Sequence, residues 1–156
     1  MTQEYLEYLS NILGRDYVTA RFAAPDVNND RPVGVVEREF GEISQFHQGA
    51  GEDTTLDLIH AIQNVPDHSL IIIDEVEASL HPKAQRRLLR VLLRLSRLKR
   101  LQVILSTHSP FVLEELPAEA RVHIVPANDG PNIVYGASAE FSLSKIDDAI
   151  HPEIYV

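Results

Sequence analysis

The chain has 156 residues, of which 44% are hydrophobic and 24% charged, with a net charge of −9 and no cysteine. That is enough for one domain with its own core, in a composition typical of soluble globular proteins. Disulfides and thiolate metal sites are excluded, no apolar run reaches the roughly 20 residues of a membrane span, and the acidic amino terminus is no signal peptide, so a cytoplasmic protein without a membrane partner is expected.

Residues Thr2 to Leu13 carry Tyr5, Leu6, Leu9, Ile12 and Leu13 at three- and four-residue steps, which predicts a helix that Gly14 can close. Tyr17 to Phe22 alternates like a half-buried strand. Pro25 to Pro32 has the chemistry of a loop or hairpin connection, and Val33 to Phe40 is a second strand candidate. Residues 1–45 therefore read as a helix plus a small antiparallel piece. Gln48-Gly49-Ala50-Gly51-Glu52 follows, ahead of a helical pattern from Thr54 to Asn64 with Leu56, Leu58, Ile59 and Ile62. Small residues before a helix let backbone N–H groups approach an anion, with help from the helix dipole. Without other motifs, the same pattern is an ordinary helix start.

After the turn Pro66-Asp67-His68-Ser69, the run Leu70-Ile71-Ile72-Ile73 has no polar interruption and reads as a strand buried on both faces. Asp74 and Glu75 follow at once; both are poor strand residues, so the strand should stop at Ile73. Lys83 to about Lys99 is one long helical pattern, with Leu88, Val91, Leu92, Leu95 and Leu98 on the face that should pack. Leu101 to Leu105 is a second short strand, running into Ser106-Thr107-His108-Ser109-Pro110. Strand, helix, strand makes a βαβ unit with parallel strands. Topology then brings Asp74, Glu75 and His108 to one sheet edge, where ligands bind in open α/β sheets.

Lys83 to Arg100 holds eight of the 14 basic residues and no acid, which leaves six basic against 23 acidic residues elsewhere, a charge of −17. Broad nucleic-acid attraction is disfavoured, while Arg86, Arg90, Arg94 and Arg97 form either a solvated helix face or a contact for phosphates or an acidic partner. Pro110 to Leu116 is a short helix; Val122 to Val125 and Asn132 to Tyr135 are strands about an Asn128-Asp129-Gly130-Pro131 turn. Ser138 to Ile150 is polar and partly helical, and Ile154-Tyr155-Val156 looks like an interrupted strand.

An apolar strand ending in Asp74-Glu75, then Ala78-Ser79-Leu80-His81-Pro82, then a strand ending in Ser106-Thr107-His108, resembles the carboxyl-terminal half of an ABC-type ATPase head. The likeness is nearest to the OLD (overcoming lysogenization defect) and SMC-like AAA-type group, and covers roughly residues 40 to 126. It implies an α/β fold, a mostly parallel sheet flanked by helices that is incomplete without its amino-terminal lobe. Residues 46–137 would be the ATPase lobe, residues 1–45 an appendage, and residues 138–156 a linker toward a downstream Toprim nuclease domain. The resemblance implies ATP and Mg²⁺ as cofactors. Asp74 would hold the metal, Glu75 would activate the attacking water and His108 would bond the γ-phosphate. Gly49, Ala50, Gly51 and Glu52 would form the signature segment, reaching the nucleotide of a second head, and Ser79 and His81 of the D-loop would sit at the dimer interface and help place the water. The serine usual in the signature is replaced here, so that contact would come from backbone N–H groups alone or be weak.

No Gly-x-x-x-x-Gly-Lys-Ser/Thr phosphate cradle (the Walker A motif) occurs in the sequence. The chain by itself is therefore expected to bind ATP poorly and to need a partner lobe carrying Walker A. The expected whole is a homodimeric ATPase head that works on or near DNA in phage defence. One alternative is a regulatory or dimerisation module without turnover. Another is a stand-alone metal-dependent hydrolase using Asp74, Glu75 and His108.

Overall fold

A computed structural model describes residues 1–23, 32–44, 47–126, 130–142 and 144. The Pro25–Pro32 connection (Pro32 excepted), the Asn128–Asp129 turn and residues 145–156, including the final strand-like triplet, lie outside the described residues. The chain forms two compact units. One comprises Met1–Ile72 and Ala78–Ile104, the other Ile73–Glu77 and Leu105–Val156.

In the first unit, helix α1 spans Gln3–Leu13. Gly14 ends it with φ 65°, a left-handed conformation that glycine adopts without the Cβ penalty, and its N–H donates to the Ser10 carbonyl. Strands β1 (Thr19–Ala23), β2 (Val33–Arg38) and β3 (Gly41–Ser44) form an antiparallel meander in the order β1-β2-β3. The third strand differs from the expectation of one strand running to Phe40. The chain instead reverses at Glu39 and Phe40, so that Arg38 pairs with Gly41.

Helix α2 spans Ala50–Asn64 and buries Leu56, Ile59 and Ile62. It begins four residues before the expected Thr54, inside the glycine segment. Leu6, Leu9, Tyr17, Ala20, Val36 and Leu56 close one core between α1, the meander and α2. Helix α3 (Pro82–Leu98) starts with proline at its first turn, a position where the missing N–H costs nothing. It buries Leu88, Leu89, Val91, Leu92 and Leu95, whereas Leu98, expected on the packed face, is 59% exposed. The carboxyl end of α2 is held by Lys99, whose Nζ donates to the carbonyls of Ile62, Gln63 and Val65 at 2.8, 3.1 and 2.6 Å. These are carbonyls that a helix end leaves without intrahelical partners.

Strands β4 (Leu70–Ile73) and β5 (Gln102–Leu105) pair as a two-stranded sheet. The Gln102 N–H donates to Ser69 O and the Ser106 N–H to Ile73 O, each at 2.9 Å. Partner numbers rise together along both strands, so the pair is parallel, as a βαβ unit requires. The expectation of burial on both faces fails: Leu70, Ile72 and Ile104 are 54%, 71% and 59% exposed. Only one face of this apolar pair is covered by the described residues.

The second unit contains helix α4 (Pro110–Glu115) and an antiparallel hairpin of β6 (Val122–Val125) and β7 (Asn132–Tyr135). Arg121 ties the hairpin base to the Leu116 and Ala137 carbonyls. Among the described residues no helix is long and apolar enough to cross a membrane.

Candidate functional site

The carboxylate edge belongs to the second unit. β4 stops at Ile73 and the backbone turns, with Glu75 at φ 46°. A left-handed conformation at a residue other than glycine is uncommon and tends to occur where geometry matters more than local ease. What holds it is Ser106. Its hydroxyl donates to Asp74 Oδ1 at 2.5 Å and accepts from the Glu75 N–H at 2.8 Å. The backbone closes the same link, because the Val76 N–H donates to Ser106 O at 3.3 Å. One hydroxyl has one donor and two lone pairs, so Ser106 serves both carboxylate residues at once.

His108 is reached by a different route. Its backbone N–H donates to Glu77 Oε1 at 2.6 Å. Ser109 then caps α4, its Oγ accepting from the Phe111 N–H at 3.2 Å. The His108 backbone is thus tied to Glu77 while the residue stays exposed, as do Asp74 and Glu75. The edge therefore presents two acids and an imidazole to solvent, on a backbone pinned by hydrogen bonds. Sequence reasoning missed Ser106 and Glu77 as the residues that fix it. The available signal was position, since Ser106 is the first residue past β5 and Glu77 lies three past the strand-ending Asp74.

Among the described residues no group of three metal-ligating side chains forms. Zinc and calcium sites draw on three or more protein ligands, and no such set forms among the described residues. Magnesium behaves otherwise, since one or two carboxylates plus substrate phosphates and water complete its shell. Asp74, exposed and with Oδ1 already oriented by Ser106, fits that pattern.

The glycine segment and the Ser79–His81 loop lie together in the first unit. Gly49 is the N-cap of α2, with no side-chain hydrogen bond to the helix. The first N–H groups of a helix have no intrahelical acceptor, and Gly49 and Ala50 are exposed, with open space where a Gly49 Cβ would stand. Gly51 is the opposite case. It is buried, and a Cβ there would overlap the Ser79 carbonyl oxygen and lie 3.1 Å from the Leu80 side chain. Ser79 reaches this contact with φ 61° and keeps its side chain exposed. His81 caps α3, its Nδ1 facing the Lys83 N–H at 3.4 Å.

Glu52, expected among the nucleotide contacts, is turned into the unit and is 5% exposed. Its carboxylate accepts from Tyr17 Oη at 2.5 Å, from Arg15 Nη1 at 2.6 Å and from Arg38 Nη2. Burial, followed by this bond to Glu52, pushes the Tyr17 phenol up to about 12. Tyr17, Arg15 and Arg38 carried no motif, and their convergence on Glu52 depends on how α1 and the meander pack.

Comparison with known proteins adds three kinds of likeness. The family described as "AAA domain, putative AbiEii toxin, Type IV TA system" matches residues 23–114, more than half of the chain. The retron Vc95 probable ATPase of Vibrio cholerae serotype O1 biovar El Tor is 32% identical over 90 residues, which is 50% of this chain and 17% of that protein. Protein ea59 of Escherichia phage lambda is 34% identical over 70 residues, 45% of this chain and 13% of that protein. The chain thus spans under a fifth of either relative's length. Among solved structures, a chain from work on ATP-driven dimerization and DNA-stimulated activation of SMC ATPases superposes with TM-score 0.65 at 14% identity, covering 96% of this chain and 90% of that one. The Smc head domain with a coiled coil and joint from Pyrococcus yayanosii gives 0.64 at 17% identity, covering 93% and 28%. At such identities the structural likeness shows a shared fold, that of an SMC ATPase head.

Proposed function

The chain belongs to the family described as an AAA domain, putative AbiEii toxin, Type IV TA system, and from that premise we propose that it is the carboxyl-terminal lobe of an ATP-hydrolysing head that works as a dimer. The observation that carries this reading is the pinned edge of Asp74, Glu75 and His108, with Ser106 bridging the first two. Phosphoryl transfer to water needs positioning and electrostatic stabilisation more than covalent chemistry. Asp74 is the Walker B metal ligand for Mg²⁺, which when bound neutralises charge on the phosphates. Glu75 is the general base that draws a proton from the attacking water. His108 donates to the γ-phosphate.

The open turn at Gly49 and Ala50 is the signature, offering N–H groups at a helix amino terminus to the nucleotide held by a second head. Ser79 and His81 flank it as the D-loop. Gly51 serves by closeness, since it lets the D-loop backbone lie against the signature helix. Glu52 serves from inside.

A partner lobe supplies Walker A, which this chain does not contain. The exposed apolar face at Leu70, Ile72 and Ile104 supports such a cover, because large apolar surface left in water marks an interaction site. ATP-driven head dimerization is what the SMC work names for its own proteins, and it is the use we assign to the open signature here. Action near DNA, cytoplasmic placement, an OLD-like arrangement with a following Toprim nuclease and a role in phage defence complete the proposal. The retron ATPase among the relatives supports the last of these. A regulatory module without turnover is the second reading, favoured by the absent signature hydroxyl.

Analytical ultracentrifugation of the natural-length polypeptide carrying Glu75→Gln tests the proposal. Dimers that appear with ATP and Mg²⁺ and are absent with ADP are expected. A monomer under all conditions contradicts it.

A further inference from the structure

We propose that Glu52 is a positioning residue for the signature turn, and that Arg15, Tyr17 and Arg38 are the clamp through which α1 and the meander set that turn. The inference rests on the head-dimer reading above.

Three donors converge on one buried carboxylate from two places in the chain, the connection between α1 and β1 and the end of β2. Arg15 comes from the segment after α1, Tyr17 from the lead into β1, and Arg38 from the end of β2. Tyr17 and Arg38 also touch each other, with the guanidinium 5.2 Å from the phenol ring centre. A buried carboxylate is tolerated only when paired and hydrogen-bonded, so these contacts stand or fall together. The Arg15 side chain is 52% exposed and Arg38 16%, so Arg38 and Tyr17 form the enclosed part of the clamp.

The body of α2 does not need this cluster. Leu56, Ile59 and Ile62, each at most 1% exposed, fix the helix from its second turn onward. The first turn has no such apolar anchor. Gly49 and Ala50 face solvent, and Gly51 lies against the Ser79 backbone and the Leu80 side chain. Glu52 is the buried side chain of that turn, held by three donors from elsewhere in the unit. Its orientation decides where the Gly49 and Ala50 N–H groups point. A shift of the meander would therefore move the signature, and a nucleotide docking on the signature would pull on the meander.

The test compares the wild-type natural-length polypeptide with Glu52→Gln and Tyr17→Phe, all in ATP and Mg²⁺. Glu52→Gln keeps the shape and removes the charge. Tyr17→Phe removes one hydrogen bond and keeps the ring, so it stays informative if the first variant fails to fold. Dimer affinity is read by ultracentrifugation, nucleotide binding to the monomer by fluorescence, and folding by thermal melting. The expected result is a dimer weakened about tenfold in Tyr17→Phe and more in Glu52→Gln, with monomer binding of nucleotide changed by less than about twofold. A merely structural role would lower the melting temperature and weaken binding and dimerisation together, and that outcome overturns the inference. So does wild-type dimer affinity in folded Tyr17→Phe. A wild-type protein that never dimerises with ATP overturns the head-dimer reading itself, and this inference with it.

Discussion

Gly51 lies against the carbonyl oxygen of Ser79 at a separation that leaves no room for a side chain. Two effects oppose each other in a Gly51→Ala substitution. Alanine is favoured over glycine inside a helix by about 1 kcal/mol. Here the obstructing atom is backbone, so the helix or the Ser79–His81 loop must move, and overpacking of this kind costs about 1–3 kcal/mol. The clash should win. Gly51→Ala is expected to lower stability in urea unfolding and to weaken ATP-dependent association. Increased stability would show that the Ser79–His81 loop yields freely.

Ser106→Ala removes the hydroxyl that orients Asp74 and accepts from the Glu75 N–H. The site is exposed, so the loss of stability should be small, within about 1 kcal/mol. Chemistry should suffer more, because a misplaced catalytic group can cost about a hundredfold. In the natural-length polypeptide, turnover should fall and half-saturation by Mg²⁺ should move to higher concentration. Unchanged Mg²⁺ dependence would remove Ser106 from the account.

Tyr17 gives a pH window with a definite sign. Its phenol ionises near 10 when unperturbed and at about 12 in the folded chain, chiefly through burial and then through its bond to Glu52. The folded state holds that proton more tightly than the unfolded state, so the contribution is fully present below pH 10 and is lost as pH rises toward 12. Tyr5 and Tyr8 are also raised, in both cases chiefly by burial. The comparison with Tyr17→Phe isolates the one residue: wild type should lose more stability than the variant across that window. Parallel curves would contradict the assignment.

Lys99→Met removes an ammonium shared by three carbonyls at the end of α2. Hydrogen bonds to charged groups contribute roughly 1.5–3 kcal/mol each, but not additively. A loss of about 2–3 kcal/mol is expected in chemical denaturation, with the midpoint falling. A change under about 0.5 kcal/mol would mean that water replaces the ammonium there.

The sequence reading succeeded where local chemistry decides. The apolar run to Ile73, the carboxylates that end it and Gly14 closing α1 are each dictated by neighbours in sequence. It missed what depends on packing. β3 was hidden because a single strand to Phe40 and a reversal at Glu39–Phe40 have the same hydrophobic pattern. The three hydrogen bonds that Glu52 accepts join residues 14 to 37 positions apart. The continuous apolar run predicted a strand covered on both sides, and one face of β4 stands open at Ile72. In that last case the pattern describes a requirement for burial that the described residues do not themselves meet.

The most direct measurement is phosphate release from ATP by the natural-length polypeptide, wild type against Glu75→Gln, with ATP binding followed on the same samples. If Glu75 is the general base at this edge, turnover should fall by about 10²–10⁴ while ATP stays bound. Equal rates in the two proteins would contradict the assignment of catalysis to the Asp74–Glu75 edge.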